Sequence, residues 1–133
     1  MVVMILDDED YKVEQIKTYV EKEGHEIIRA KSFQDGILAL VKGKKKVDAI
    51  FLDMYFPQRE GESIERDKGE QFIETMKWEK LDIPVCLYTS ANVKSEIFDN
   101  GFVIGYIGYD SSVYMGDKVK GVLEKMQKYR GEK

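Results

Sequence analysis

Residues 49–52, Ala-Ile-Phe-Leu, form an unbroken apolar run that ends abruptly in Asp53. Lysines precede the run and Pro57 closes the stretch after it. A run this short, rich in large apolar side chains and bounded in this way, reads as a strand buried on both faces. Strands of that kind belong to parallel sheets covered by helices on either side. The fold must therefore supply helices for both faces. Asp53 stands where the buried strand surfaces, as a turn residue or as a site residue.

The rest of the chain supplies the helices. Val2 to Leu6 is a second continuous apolar run, strand one, stopped by Asp7-Asp8-Glu9-Asp10. Val13, Ile16 and Val20 recur at helical spacing and place helix one over Tyr11 to about Glu23, with Gly24 as its stop. Glu26 to Ala30 is strand two. Ser32 and Asp35 resemble the start of a capping box, and Phe33, Ile37, Leu38 and Val41 give helix two its apolar face. Strand three is the run before Asp53. Residues 58–68 are polar and irregular and form the longest connection. Asp67 and Glu70 suggest the cap of helix three, whose buried stripe is Phe72, Ile73 and Met76. Ile83 to Tyr88 is strand four and ends in Thr89-Ser90. A short helix four, about Asn92 to Asp99, carries Val93, Ile97 and Phe98. Phe102 to Ile107 is strand five, and Val119, Val122, Leu123 and Met126 mark the last helix.

Strands alternating with helices predict an α/β fold with right-handed crossovers. The expected architecture is a doubly wound, five-stranded parallel sheet in the order 2-1-3-4-5, with ligand sites beyond the carboxyl ends of strands one and three. Residues 1–130 are expected to form one domain and 131–133 a polar tail.

Composition narrows the function. With 43% hydrophobic and 35% charged residues among 133, the chain is expected to be globular. A formal net charge of -4 argues against direct nucleic-acid binding, which needs a basic face. The single cysteine, Cys86, excludes an internal disulfide, and no stretch approaches a membrane span. The opening residues run straight into acids, unlike a signal peptide, so the expected location is cytoplasmic.

In the expected topology Asp7, Asp8 and Asp53 converge at one sheet edge, with Thr89 beside them. Two unit charges 4 Å apart repel by about 4 kcal/mol at an effective dielectric of 20. Such a cluster needs shifted pKa values or a cation, and an all-oxygen set with room for water suits Mg²⁺ together with a substrate phosphate. A metal there would screen Asp53 from an incoming phosphoryl group, so that Asp53 could act as a nucleophile and form an aspartyl phosphate. Thr89 could bind a phosphoryl oxygen. As structural alternatives, Asp7 or Asp8 could cap helix one, and Thr89 and Ser90 could cap helix four. An Asp-x-Asp phosphatase signature at Asp8-Glu9-Asp10 is disfavoured, because Lys12 stands where Thr or Val is wanted. The acidic run also lacks the glycine and terminal glutamate of an EF-hand loop.

Ile5-Leu6-Asp7-Asp8-Glu9, Leu52-Asp53-Met54, Ile83-Pro84-Val85, Thr89 and Tyr106 together resemble the receiver domain of two-component signalling, the CheY-like fold. The resemblance implies that Asp53 is the phosphoacceptor. It implies that Asp8 binds Mg²⁺ directly, Asp7 largely through water, and that the Tyr55 backbone carbonyl is a further ligand. Thr89 would contact the phosphoryl group and Tyr106 would be the switch aromatic. A histidine kinase or phosphotransfer protein would be the donor, and a downstream protein would dock on the helix 4/strand 5/helix 5 face. Activity of its own would be at most Mg²⁺-dependent self-phosphorylation from a phosphodonor and autodephosphorylation. Two departures stand out. The family has a lysine three residues after the switch aromatic, followed by proline; here Tyr109 and Asp110 occupy those positions. The segment after Pro57 is also long, and its Arg59, Arg66 and Lys68 are candidates for the missing cation. The expectation is a single-domain response regulator that takes a phosphoryl group on Asp53. The alternative is an atypical receiver that acts as a phosphorylation-independent interaction module.

Overall fold

The computed structural model describes residues 1–110 and 114–131. Strand β1 (Val2–Leu6) leads to helix α1 (Asp10–Lys22), β2 (Glu26–Ala30), α2 (Phe33–Lys42) and β3 (Ala49–Leu52). Two short strands follow, β4 (Phe56–Pro57) and β5 (Ile64–Glu65), then α3 (Lys68–Trp78) and β6 (Val85–Thr89). A 3₁₀ turn (Ser95–Asp99), β7 (Val103–Gly108) and α4 (Gly116–Gly131) complete the order.

The main sheet runs β2-β1-β3-β6-β7, all parallel. This is the expected 2-1-3-4-5 order, with β6 and β7 as the fourth and fifth strands. Side chains alternate between its faces. Met4, Leu6, Ile50, Leu52, Val85 and Leu87 join Phe72, Ile73 and Met76 of α3 and the apolar row of α2 on one face. Val3, Ile5, Ala49, Phe51, Cys86 and Tyr88 join Val13, Ile16 and Val20 of α1 and Val119, Leu123 and Met126 of α4 on the other. The sheet is thus covered on both sides, as its unbroken apolar strands require. Burial pushes the Cys86 thiol up, so it packs as a small neutral hydrophobe.

Local chemistry sets the element ends. Gly24, at φ +87°, turns the chain out of α1. Ser32 Oγ accepts the Asp35 backbone N–H at 3.1 Å and caps α2. Asp67 does precede α3, but its side chain makes no cap bond; its Oδ2 accepts from Gln71 Nε2 instead, at 2.7 Å.

Four expectations need correction. Helix four is a five-residue 3₁₀ turn: Lys94 is extended (φ -67°, ψ 136°), and Ser95–Asp99 is too short to sustain an α-helix. The docking face expected at helix 4/strand 5/helix 5 therefore has a turn, not a helix, at its edge. On α2, Phe33, Ile37 and Leu40 face the core, whereas Leu38 and Val41 are exposed. Residues 58–68 are not wholly irregular, since β4 and β5 pair antiparallel, Phe56 with Glu65 and Pro57 with Ile64. Finally, Gly131 is not in a tail. It ends α4, whose last turn is held by Arg130 at 2.9 Å from Asp48. The other expected tail residues, Glu132 and Lys133, lie outside the described residues. Among the described residues no helix is long and apolar enough to cross a membrane.

Candidate functional site

The site lies at the carboxyl edge of β1, β3 and β6. Leu6 pairs with Leu52, and Leu52 with Leu87, so Asp7 and Asp53 leave the sheet side by side and Thr89 stands next along the edge. The Asp53 N–H donates to the Leu6 carbonyl at 3.0 Å, and the Asp7 N–H donates to Ala30 at 3.0 Å. One carboxylate oxygen from each of Asp7, Asp8 and Asp53 lies within 4.8 Å of the others. Asp7 is 1% exposed and Asp53 6%. Burial, reinforced by the neighbouring Asp53 charge and opposed by Lys12, raises the Asp7 pKa to about 6. Burial also raises that of Asp8. Neither acid caps α1 in the expected way: the residue before the helix is Glu9, which has no side-chain cap bond, while Asp7 Oδ1 accepts the Glu9 N–H at 3.0 Å.

The cation at the cluster is Lys12. It is 3% exposed, and its Nζ lies 2.7 Å from Asp7 Oδ2 and 3.3 Å from Asp53 Oδ1. The contact to Asp7 is a close ion pair buried on both sides. The ammonium also sits 5.2 Å from the centre of the Tyr88 ring and 5.5 Å from that of Tyr109. Sequence reasoning missed Lys12. Its signal was helical spacing: it lies four residues before Ile16 and eight before Val20, on the row of α1 that faces the sheet.

Two of the three loop cations have other partners. Lys68 is buried, its Nζ donating to Gln58 Oε1 at 2.7 Å and Gln71 Oε1 at 3.0 Å, with Glu65 at 3.5 Å and the Phe33 ring at 5.4 Å. It ties the β4–β5 hairpin to α3. Arg59 is exposed and 3.9 Å from Glu62, and Arg66 is exposed. Thr89 is buried and its Oγ1 accepts the Ala91 N–H at 3.1 Å, so it stabilises the turn after β6 rather than a helix. Tyr106 is exposed, edge-on to Phe98 at 6.4 Å. Tyr55 is exposed just beyond Asp53. Tyr109 donates its N–H to the Thr89 carbonyl at 2.9 Å and packs edge-on against Tyr11 and Tyr88.

Known structures superpose on nearly the whole chain. A CheY-like response regulator receiver domain from Methanospirillum hungatei matches with a TM-score of 0.75 and 19% identity, covering 99% of this chain and 98% of that one. This chain has the receiver-domain fold of response regulators. The response regulator TrrA of Thermotoga maritima, solved in complex with Mg²⁺-BeF, matches this receiver at a TM-score of 0.71 and 20% identity, covering 94% of this chain and 97% of TrrA. The Mn²⁺-bound response regulator Rcp1 matches at 0.70 and 16% identity, covering 91% and 90%. In sequence, the receiver is 26% identical over 131 residues to the response regulator SaeR of Staphylococcus aureus, covering 96% of this chain and 52% of SaeR. The receiver thus spans about half the length of the curated relatives it matches. No family model matches it.

Proposed function

We propose that residues 1–130 act as a cytoplasmic receiver that accepts a phosphoryl group on Asp53 in a two-component phosphorelay. The observation that carries this reading is the meeting of Asp7, Asp8 and Asp53, from two separate strand ends, around a buried ammonium that touches Asp53. The donor is a histidine kinase or phosphotransfer protein, as the relationship to response regulators suggests.

The residues fit Mg²⁺. One ammonium against three carboxylates leaves negative charge uncompensated. Hard oxygen ligands of this kind select a hard divalent cation. Asp8 would hold it directly, Asp7 largely through water, with Asp53 and the Tyr55 carbonyl completing the protein ligands. When bound it supplies the positive charge that lets an anionic nucleophile meet an anionic phosphoryl group.

The chain's own groups do the rest. An Asp53 oxygen bonds to phosphorus as the P–N bond to a donor histidine breaks, and the imidazole leaves with the bonding pair and takes a proton from solvent. The product is an acyl phosphate. The Met54 N–H, which donates to Asp53 Oδ1 at 2.7 Å, orients the carboxylate. Thr89 donates its hydroxyl to a phosphoryl oxygen. The altered turn after β6 then shifts Tyr106 and Phe98 and changes the surface offered to a downstream protein.

Incubation with acetyl phosphate and Mg²⁺ tests this: intact-mass analysis should show one added phosphoryl group, absent in Asp53→Ala. Tyr109, standing where the family has lysine, favours the rival reading of a phosphorylation-independent interaction module. No mass gain, together with no response to beryllofluoride, would establish that rival.

A further inference from the structure

The family lysine position holds Tyr109, yet the carboxylates are not without a cation. We propose that Lys12 of α1 is the phosphoryl-binding cation of this receiver, delivered to the site from the first turn of a helix instead of from the end of the fifth strand. The inference rests on the reading of Asp53 as the phosphoacceptor.

Four observations carry it. First, the ammonium is placed at the reacting carboxylate, 3.3 Å from Asp53 Oδ1. Second, Lys12 is buried to 3% exposure on the sheet-facing row of α1, where an apolar side chain would satisfy packing alone. Lysine is almost never fully buried unless paired, and taking its charge out of water is costly. Third, Tyr109 forms part of the wall that confines the ammonium: its ring centre is 5.5 Å from Nζ, and the Tyr109 N–H bond to Thr89 fixes the backbone beside the phosphoryl-binding hydroxyl. The two sequence positions thus address one point in space, one with the charge and the other with an aromatic face that tolerates it. Fourth, Lys68 and Arg59 of the long loop are engaged elsewhere, by Gln58, Gln71 and Glu65 and by Glu62.

The chemistry follows from the side chain. An ammonium on a four-carbon stem is a mobile point charge with three donors. Once Asp53 carries a phosphoryl group, the negative charge moves outward onto the phosphoryl oxygens. Lys12 follows it by leaving Asp53 Oδ1 while remaining near Asp7.

The test compares wild type, Asp53→Ala, Lys12→Met and the double variant Lys12→Met/Tyr109→Lys, all in saturating Mg²⁺ with acetyl phosphate. Mg²⁺ binding is followed separately by calorimetry. Lys12→Met should bind Mg²⁺ but take up phosphoryl about a hundredfold more slowly, the usual scale for losing one charge-stabilising donor. Lys12→Met/Tyr109→Lys should recover most of the rate, since it returns the charge from the other side. Wild-type labelling with unchanged labelling in Lys12→Met would overturn the inference and leave the proposed function standing. So would a slow Lys12→Met that the second substitution fails to rescue while both variants bind Mg²⁺. Absence of labelling in the wild type would overturn both readings. If Lys12→Met does not fold, the crystal structure of the wild-type Mg²⁺–beryllofluoride complex decides: Nζ within hydrogen-bond distance of a fluoride supports the proposal, and Nζ held on Asp7 alone refutes it.

Discussion

The Lys12 ammonium lies 5.5 Å from the centre of the Tyr109 ring, and the Tyr88 ring stands at 5.2 Å. Two aromatic faces on one side and two carboxylates on the other are what hold a lysine inside this domain. The aromatic side excludes water without competing for the proton, while the carboxylate side supplies the opposite charge. Tyr109 is therefore more than a missing lysine, because its ring is part of the structure that makes Lys12 tenable.

Replacing Tyr109 separates ring from hydroxyl. Tyr109→Phe keeps the face presented to Lys12 and the edge-on contacts with Tyr11 and Tyr88. It should melt close to wild type. Tyr109→Ala removes the cation–π contact and both aromatic pairs and should cost about 2 kcal/mol. Urea titration of the two variants checks this; equal midpoints would show that the ring does not support the ammonium.

Tyr88 offers a complementary case. Its ring is buried, and its hydroxyl oxygen has no hydrogen-bond partner. Burial, with neighbouring tyrosines and Asp7, pushes its pKa upward, so the group stays neutral. A buried hydroxyl without a partner costs about 1–3 kcal/mol of desolvation. Tyr88→Phe, which retains the ring beside Lys12, should therefore raise stability by up to about 1 kcal/mol. A fall in melting temperature would mean that the hydroxyl has a role in the site.

Much of this was legible in the sequence. Val2–Leu6 and Glu26–Ala30 are strands with the expected bounds: the first is a continuous apolar run closed by acids, and the second has Ile27 and Ile28 at its centre after the helix stop at Gly24. The convergence of Asp7, Asp8 and Asp53 followed from strand order alone, since parallel strands end on one edge. Residues 92–99 misled because Val93 and Ile97 have helical spacing, and spacing cannot reveal that Lys94 is extended. The β4–β5 pair was hidden because strands of two residues have no period to read. Lys12 was hidden for a different reason. A lysine on an apolar row is ordinarily assigned to the solvent side, and only the fold reveals that the carboxylates of two other elements surround it.

Gly69 fixes where α3 begins relative to the site. Its N–H donates to the Met54 carbonyl at 3.0 Å, and a Cβ there would stand 2.6 Å from Met54 Cα and 2.7 Å from the Asp53 carbonyl oxygen. These are backbone atoms, so the clash cannot be relieved by a rotamer change. Gly69→Ala should push α3 away from the strand-three exit at a cost of about 1–3 kcal/mol. It should also slow acetyl phosphate labelling of Asp53, which shares the displaced backbone. Gly61→Ala in the hairpin, where a Cβ meets nothing within 4 Å but φ is +88°, should reduce stability without slowing labelling. Equal labelling rates for the two variants would show that the α3 contact does not position Asp53.

Asp7 predicts a pH dependence that metal should erase. Its pKa in the fold, about 6, lies above the ordinary 3.8, so between these values the folded chain binds more protons than the unfolded one. Stability from this group is therefore fully present below 3.8 and is lost as pH rises through about 6. The gap corresponds to about 3 kcal/mol, and Asp7 is too deeply buried for solvent to screen it. His25 acts in the opposite sense, because burial and the adjacent N-terminal amine lower its pKa, so its contribution is lost on acidification. Comparison with Asp7→Asn, which retains His25, removes that contribution. In chelator, wild type should gain stability relative to Asp7→Asn as pH falls from 7.5 to 5. In saturating Mg²⁺ the ionised carboxylates gain a partner, and that relative gain should shrink or reverse. Thermal melts of both proteins across this range, with and without Mg²⁺, make the comparison. A difference between the two proteins that does not change with pH in chelator would place the Asp7 pKa near its ordinary value and would remove the electrostatic strain assigned to the cluster.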